Sequence, residues 1–367
     1  MIIRSIEPIA VALPMKQVMK MAGVEIAAAE NLLVRIESDD GIVGWGESAS
    51  APTMTGETQA SMVAAVQYLT PALLGLDAAD IDTASARMEL RMYGNQAAKA
   101  AIEIALHDLA GRASGKPVWA LLGAKLRSRV PALWLLGTGD AEADLAEAAS
   151  KKAAGFVAWK IKVGVAGIES DILRTARICE LLGDAALVSA DANQGYRVEQ
   201  AIAYVQAAER TTLAFLEQPV RADDLSGMAR VAQASRIPIG ADEGLHSLED
   251  IRHHHGARAA AGGSLKTIKL GGLRPTLQAA LLCESLGWKV NLAGKVADSS
   301  IATAAILHLA AVIPSLAWGT SLTNQYLADD LTGSPIAIAA GHASVTDAPG
   351  LGIEVDEARV RKYRIRV

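Results

Sequence analysis

Eight short apolar runs follow Val130, and their regular spacing is the feature that most constrains the fold. Each run is followed by an amphipathic, helix-like segment, and successive runs begin about 25 residues apart. The runs are PALWLLG (131–137), VAWKIKVG (157–164), ALVSADANQG (186–195), LAFLEQP (213–219), IPIGADE (237–243), SLKTIKLGG (264–272), KVNLAG (289–294) and SLAWGT (315–320). Alternating strands and helices favour a parallel sheet, and eight such units favour a closed TIM-type barrel. A doubly wound open sheet is the alternative.

The chain before Val130 has a different pattern. Two apolar stretches, IIRSIEPIAVALP and NLLVRIESDDGIVGWGES, contain the turn signal Asp39-Asp40-Gly41 and predict a β-hairpin. Residues 55–114 then have helical periodicity. We therefore predict an α/β protein with an α+β capping domain at residues 1–125, completed by an extended tail at about 340–367. The barrel domain would occupy residues 126–340.

Composition excludes several classes of partner. The chain has 367 residues, of which 51% are hydrophobic and 20% charged, with a net charge of −5 and no basic run. This balance argues against nucleic acid or an anionic membrane as a partner. Cys179 and Cys283 are too few for a disulfide framework, and the N-terminus does not resemble a signal peptide. A cytoplasmic location is expected.

The second run, VAWKIKVG, carries two lysines where a buried strand should be apolar. Lys160 and Lys162 are two positions apart, so they point to the same face of the strand. Two neighbouring ammonium groups repel each other and lose hydration on burial. Such a costly pair indicates a functional role.

Charged side chains recur where the other predicted strands end, which is the functional face of a TIM barrel. The third, fourth and fifth strands end near carboxylates, the sixth carries two lysines, and the seventh leads to another carboxylate. The residues are Asp191 with Asn193, Glu217, Asp242 with Glu243, Lys266 with Lys269, and Asp298. A single acidic residue at a strand end is commonly a helix cap, but three consecutive strands share the feature here.

Three converging carboxylates would repel one another unless a cation lies between them. Oxygen ligands favour Mg²⁺, with Mn²⁺ possible, and the lack of His or Cys argues against zinc. A nearby cation also disfavours protonation of a lysine and brings its amine towards the range of a general base. We therefore expect Lys162 to transfer protons, with Lys160 tuning it and binding substrate charge. Asn193 and Asp298 are further candidate substrate-binding residues.

These motifs resemble the enolase superfamily, in particular its muconate lactonizing enzyme subgroup. The similarity covers nearly the whole chain, because that family combines a capping domain with a modified (β/α)7β barrel. The motifs are Lys160-Ile-Lys162, Asp191-Ala-Asn193, Glu217-Gln218-Pro219, Ala241-Asp242-Glu243 and Lys266-Thr-Ile-Lys269-Leu-Gly-Gly.

The resemblance implies that Asp191, Glu217 and Asp242 bind Mg²⁺. It implies that Lys162 and Lys266 form the acid/base pair of an enzyme that forms or protonates an enediolate next to a substrate carboxylate, with Lys269 structural. A cap segment around Lys16–Val24 would close over a small carboxylate substrate. We also expect a homo-oligomer, from dimer to octamer.

Within the subgroup, the sequence favours a muconate cycloisomerase. Trp318-Gly319-Thr320 is followed by a short apolar stretch, as in muconate enzymes, and the Asp-x-Asp of dipeptide epimerases is absent. Two positions depart from the pattern, because Asp298 stands where muconate enzymes carry Glu and Gly244 where they carry Ser. The alternatives are a racemase, epimerase or dehydratase of an N-acyl amino acid, dipeptide or proline derivative, and a non-catalytic protein that binds a metal or a small acid.

Overall fold

The first sheet is antiparallel and built by local hairpins. The computed structural model of the chain describes residues 1–21 and 24–367. Strands β1 (Ile3–Met21), β2 (Val24–Ser38) and β3 (Val43–Ala49) pair in the order β1-β2-β3. The predicted hairpin at Asp39–Gly41 is confirmed between β2 and β3, and Gly41 takes a φ of 82° that favours glycine. Ala22 and Gly23 of the predicted cap segment lie outside the described residues.

Three helices, rather than one continuous stretch, follow this sheet. They are α1 (Gln59–Leu73), α2 (Ile81–Arg91) and α3 (Gln96–Ser114), with the short α4 (Val118–Leu122) after them. Side chains of Thr58 and Asp80 cap the first two helices, and Gly115 ends the third in the left-handed conformation. Helix α3 packs closely on β3, where a Cβ on Gly46 would lie 1.9 Å from the carbonyl oxygen of Ala101.

The prediction of eight parallel strands is confirmed. The barrel strands are β5 (Leu133–Leu136), β6 (Ala158–Lys162), β7 (Leu187–Asp191), β8 (Leu213–Glu217), β9 (Ile239–Ala241), β10 (Gly262–Leu265), β11 (Lys289–Ala293) and β12 (Thr320–Ser321), preceded by β4 (Arg129–Pro131). They pair in sequence order from β5 to β12. A parallel bridge between Ala132 and Thr320 brings the last strand against the first, so the sheet curls into a barrel rather than an open sheet.

Helices cover the outside of the barrel. They are α5 (Ala141–Ala153), α6 (Ile168–Leu182), α7 (Val198–Ala208), α8 (Leu225–Gln233), α9 (Leu248–Gly256), α11 (Leu273–Ser285) and α12 (Ser300–Val312), while the short α10 (Thr267–Leu270) lies buried between the end of β10 and α3. The sixth predicted strand was too long, since β10 ends at Leu265 and the following residues turn into α10. Within the described part of the chain, no helix is long and apolar enough to cross a membrane.

Aromatic side chains fill the end of the barrel away from the predicted site. The rings of Phe215 and Trp318 stack with centroids 4.0 Å apart and planes 10° from parallel. Gly262 makes room for this stack, because a Cβ there would lie 2.4 Å from the Trp318 ring. The interior is therefore a packed core, and polar groups are left to the carboxyl ends of the strands.

The C-terminal tail contacts the first sheet but is not extended throughout. Strand β13 (His342–Ser344) pairs with β4, and α13 (Glu357–Tyr363) forms a helix that the sequence analysis missed. Asp356 caps this helix by accepting two backbone N–H groups. The backbone N–H of Ile365 then donates to the carbonyl of Ala10. The domain limits near residues 125 and 340 stay a prediction.

A buried arginine ties two barrel helices to the strand that carries the lysine pair. Arg174 of α6 donates to Asp144 of α5 at 2.5 Å and to Asp171 at 3.1 Å. Its guanidinium also donates to the backbone carbonyl of Lys162, the last residue of β6. All three charged side chains are at most 2% exposed.

We expect Arg174→Met to lower the free energy of unfolding by about 3–5 kcal/mol, because it leaves two buried carboxylates without their cation. Urea unfolding followed by circular dichroism measures the change. Arg177→Met is the matched control, since Arg177 lies on the same helix with its side chain 39% exposed and pairs with exposed Glu142. Equal losses in the two variants would contradict a role for the buried network.

Candidate active site

Parallel register places three acidic residues side by side. Asp191 at the end of β7 pairs with Glu217 at the end of β8, and Glu217 pairs with Gly240 of β9, two residues before Asp242. The three acidic residues are only 1–2% exposed. The sheet thus brings these three predicted site residues together at one end of the barrel.

Each of the three carboxylates is paired with lysine. Lys160 donates to Glu217, while Lys162 donates to Asp191 Oδ2 at 2.6 Å. Asp242 accepts from Lys266 through Oδ2 and from Lys269 through Oδ1, the latter at 2.6 Å. Lys160 and Lys162, the two lysines of the VAWKIKVG run, are thus counter-ions of buried carboxylates.

Electrostatics in this cluster follow from burial and from the paired charges. Burial raises the pKa of Glu217, and the neighbouring Asp191 and Asp242 add to the effect against the opposing Lys160. Burial alone would also raise the pKa of Asp242, but Lys266 and Lys269 hold it far below its ordinary value. Asp242 is therefore a carboxylate at any ordinary pH.

The lysine partners respond in the opposite sense. Burial would lower the pKa of Lys160 and of Lys266, but the surrounding carboxylates raise both. Lys160 and Lys266 are therefore ammonium groups in this arrangement. Burial lowers the pKa of two other lysines in this region, Lys269 and Lys295.

A cavity of about 70 Å³ lies at the carboxyl ends of the strands. Its charged and amide walls are the predicted site residues other than Asp298, together with one lysine that the prediction omitted: Lys160, Lys162, Asp191, Asn193, Glu217, Asp242, Lys266 and Lys295. Apolar walls come from residues such as Met54 of the first domain and Leu133 and Leu135 of β5. The cavity thus combines several convergent charges with an apolar lining, as small-molecule sites do.

Asn193 connects the proton-transfer candidate to a further acid. Its Oδ1 accepts from Lys162 at 2.5 Å, and its Nδ2 donates to Glu243 Oε1 at 3.0 Å. Asn193 has a φ of 40°, a left-handed conformation that asparagine tolerates better than most residues. Burial, then the charges of Asp242 and Asp191, raise the pKa of Glu243 to about 7.

Asp298 lies behind the cavity wall rather than on it. Its carboxylate accepts the backbone N–H of Lys295 at 3.0 Å, and its own N–H donates to Thr323. Burial and the nearby Glu47 raise the pKa of Asp298 well above its ordinary value. In this geometry Asp298 orders the loop after β11, while Lys295 lines the cavity.

Lys295 could have been found from sequence. It is the second residue after β11, which is where Asn193 stands after β7. The acidic residue of the same loop, Asp298, was the predicted site residue there. The side chain of Lys16, predicted in the cap segment, donates to the carbonyl of Gln325 at 2.8 Å and does not line the cavity.

The donor set suits a hard divalent cation in its chemistry. Asp191, Glu217 and Asp242 offer buried oxygen atoms from adjacent strands, and the described residues that line the cavity include no cysteine or histidine. In the described ranges 1–21 and 24–367, no group of three or more His, Cys, Asp or Glu side chains is arranged as a ready metal centre. The carboxylates face their lysines instead, and the metal set stays a prediction.

Comparisons with known proteins agree with this architecture. Residues 5–123 match the mandelate racemase/muconate lactonizing enzyme N-terminal domain, and residues 143–359 match the enolase C-terminal domain-like family. A chloromuconate cycloisomerase of Cupriavidus necator is 32% identical over 366 residues, which cover 98% of each chain. An N-succinyl-L-Arg/Lys racemase of Bacillus cereus is 29% identical over 365 residues, covering 99% of this chain and 98% of the racemase.

A solved structure gives the same result in three dimensions. The crystal structure of a muconate lactonizing enzyme from Pseudomonas fluorescens complexed with muconolactone has a TM-score of 0.95 to this chain. The two are 32% identical, and the match covers 99% of both chains. The fold, the residues at the strand ends and the relatives agree on one family. The chain belongs to the mandelate racemase/muconate lactonizing enzyme family of the enolase superfamily, and it is an isomerase of the cycloisomerase or racemase kind.

Proposed function

We propose that the protein is a Mg²⁺-dependent muconate cycloisomerase that closes cis,cis-muconate or a related diacid to a lactone. The observation that carries the proposal is a cavity with three buried carboxylates and a lysine on either side, each ion-paired with a carboxylate. Chloromuconate cycloisomerase activity in a relative that is 32% identical along the whole chain supports the choice of reaction.

Strand order defines how the two lysines face a substrate. Lys162 ends β6, and Lys266 directly follows β10, which is four strands away in a barrel of eight. Strands four positions apart lie across such a barrel from each other. A flat substrate between them has one ammonium group near each face.

In the proposed reaction, one carboxylate oxygen of the substrate attacks the conjugated double bond and forms the C–O bond of the lactone. The displaced electron pair moves into the enolate of the other carboxylate. Lys162 donates its proton to the enolate carbon, becomes neutral, and regains a proton from water. Its ordinary partners, Asp191 and Asn193, hold the ammonium group in position for this step.

Lys266 has a different role in lactonization. It supplies positive charge opposite Lys162 and is held by Asp242. Asp191, Glu217 and Asp242 are the residues that would hold Mg²⁺. A bound divalent ion stabilises negative charge that develops on a substrate carboxylate.

The second candidate function is racemization. Two lysines on opposite faces suit a reaction in which one removes the α-proton and the other returns it, and the N-succinyl-L-Arg/Lys racemase among the relatives supports this alternative. A non-catalytic acid-binding protein is less consistent with two lysines that line the same cavity. α-Proton exchange in D₂O, followed by NMR, separates a catalyst from such a protein. Homo-oligomeric assembly and a cytoplasmic location stay predictions.

Metal dependence is the first test. We expect EDTA to abolish turnover and Mg²⁺ to restore it, because three close carboxylates need a divalent cation when a substrate anion joins them. Calorimetry should detect Mg²⁺ binding to the wild type and not to Asp191→Asn. Asp184→Asn, at an exposed turn before β7, is the control and should bind Mg²⁺ normally. Wild-type behaviour of Asp191→Asn would remove this residue from the ligand set.

Proton donation by Lys162 is the second test. Lys162→Ala should reduce kcat for cis,cis-muconate by at least ~100-fold, as for loss of a general acid. Lys116→Ala, which changes an exposed lysine of the first domain, should leave kcat unchanged. Thermal melting checks that Lys162→Ala still folds, since the change leaves Asp191 without its ion-pair partner.

Turnover of muconate, compared with α-proton exchange in D₂O, decides between lactonization and racemization. The cycloisomerase proposal fails if the wild type leaves muconate unchanged but exchanges the α-proton of an N-acyl amino acid or proline derivative in D₂O. Lys162 and Lys266 would then be paired bases, and each single alanine variant would lose exchange from one stereoisomer.

A further inference from the structure

Lys295 is placed on the cavity wall by a loop whose backbone is held on both sides. The N–H of Gly294 donates to the carbonyl of Ser321 at 3.0 Å, and the N–H of Lys295 donates to Asp298. The carbonyl of Lys295 accepts from the Thr323 hydroxyl at 2.6 Å. With its backbone polar groups engaged in this way, the side chain remains as the group that lines the cavity.

The ammonium group of Lys295 differs from those of its neighbours. Lys160, Lys162, Lys266 and Lys269 each form an ion pair with a carboxylate of the barrel mouth. Among the residues that the structure describes, no carboxylate is hydrogen-bonded to or ion-paired with the ammonium group of Lys295, and Asp298 accepts only its backbone N–H. Four lysines and three carboxylates line the cavity, so Lys295 is its uncompensated charge.

Burial, together with the ammonium groups of Lys266 and Lys162, lowers the pKa of Lys295 to about 8. The carboxylates of Asp298 and Asp242 oppose this effect without cancelling it. An anion placed against Lys295 would supply the missing counter-charge. A partly buried cation without a partner is costly, which makes an exogenous partner favourable.

Space for such an anion adjoins the cavity. A cleft of about 440 Å³ between the first domain and the barrel shares Met54, Asn193, Lys295 and Val296 with the catalytic cavity. The glutamates on its first-domain wall, Glu25 and Glu30, are exposed on β2, whereas Lys295 lies where cleft and cavity meet. A ligand in the cavity can therefore extend past Lys295 into the cleft.

We propose that Lys295 binds a second anionic group of the substrate and makes the enzyme selective for dicarboxylates over monocarboxylates. This inference rests on the proposed function, in which the first carboxylate of the substrate would be bound by the Mg²⁺ ion that Asp191, Glu217 and Asp242 would hold. It narrows the substrate class whether the reaction is lactonization of a diacid or racemization of an amino acid with an acidic N-acyl group. Lys295 is a specificity residue in this account, and the proton transfers stay with Lys162 and Lys266.

Adipate and hexanoate test the inference, because these two unreactive six-carbon acids differ only in the remote carboxylate. In calorimetric titrations with Mg²⁺ present, we expect the wild type to bind adipate at least ~10-fold more tightly than hexanoate, as for a charged hydrogen bond. Lys295→Met should lose most of this preference and Lys295→Arg should keep part of it. Lys289→Met, at the exposed start of β11, the strand that precedes Lys295, should keep the full preference for adipate.

Thermal melting separates recognition from a structural role. Because Lys295 has no close counter-ion, Lys295→Met should melt no lower than the wild type. An undiminished preference for adipate in Lys295→Met overturns the inference, and so does equal binding of the two acids by the wild type. If the wild type neither converts muconate nor exchanges any α-proton, while Lys295→Met still loses the preference for adipate, the proposed function fails and recognition by Lys295 stands.

Discussion

Burial of three carboxylates at adjacent strand ends is the constraint on which the rest of the site depends. Asp191, Glu217 and Asp242 are almost inaccessible to solvent, and isolated ions in that position would be strongly destabilising. Lysines from two opposite sides of the barrel neutralise these carboxylates, so the barrel interior is polar at the carboxyl ends of the strands. The apolar Phe215–Trp318 stack at the other end shows how the same strands pack when no chemistry is required.

Backbone geometry turns this cluster into a defined arrangement. Gln218 has a φ of 34°, and its side-chain carbonyl accepts the N–H of Asp242 at 2.8 Å. The Nε2 of the same side chain donates to the carbonyl of Val220. One amide thus links the ends of two neighbouring strands, which fixes the separation of Glu217 and Asp242. Left-handed residues at such positions cost conformational free energy and persist only where the surroundings determine them.

The first domain contributes to the site through Glu47, a buried acid outside the group of three carboxylates. Glu47 of β3 accepts the N–H and hydroxyl of Ser299 and the N–H of Ala302 at the start of α12. It also accepts from the side chain of Asn31, which in turn donates to the carbonyl of Ala297. The loop that carries Lys295 is thereby anchored to a different domain.

The sequence by itself determined the combination of a capping domain with a barrel, the eight parallel strands and the set of charged residues at the strand ends. Those conclusions follow from short-range patterns, because strand alternation and helix periodicity are written in consecutive residues. The short helices in the KTIKL segment and in the tail could not be predicted from these patterns, since such short elements depend on capping and on packing against distant strands.

The roles of individual loop residues could not be predicted from local patterns either. Asp298 and Lys295 are three positions apart, and only the tertiary structure decided that the lysine lines the cavity while the aspartate holds the lysine's backbone. Which of two neighbouring loop residues faces a cavity depends on hydrogen bonds to Ser321 and Thr323, far along the chain, and no local pattern records those partners.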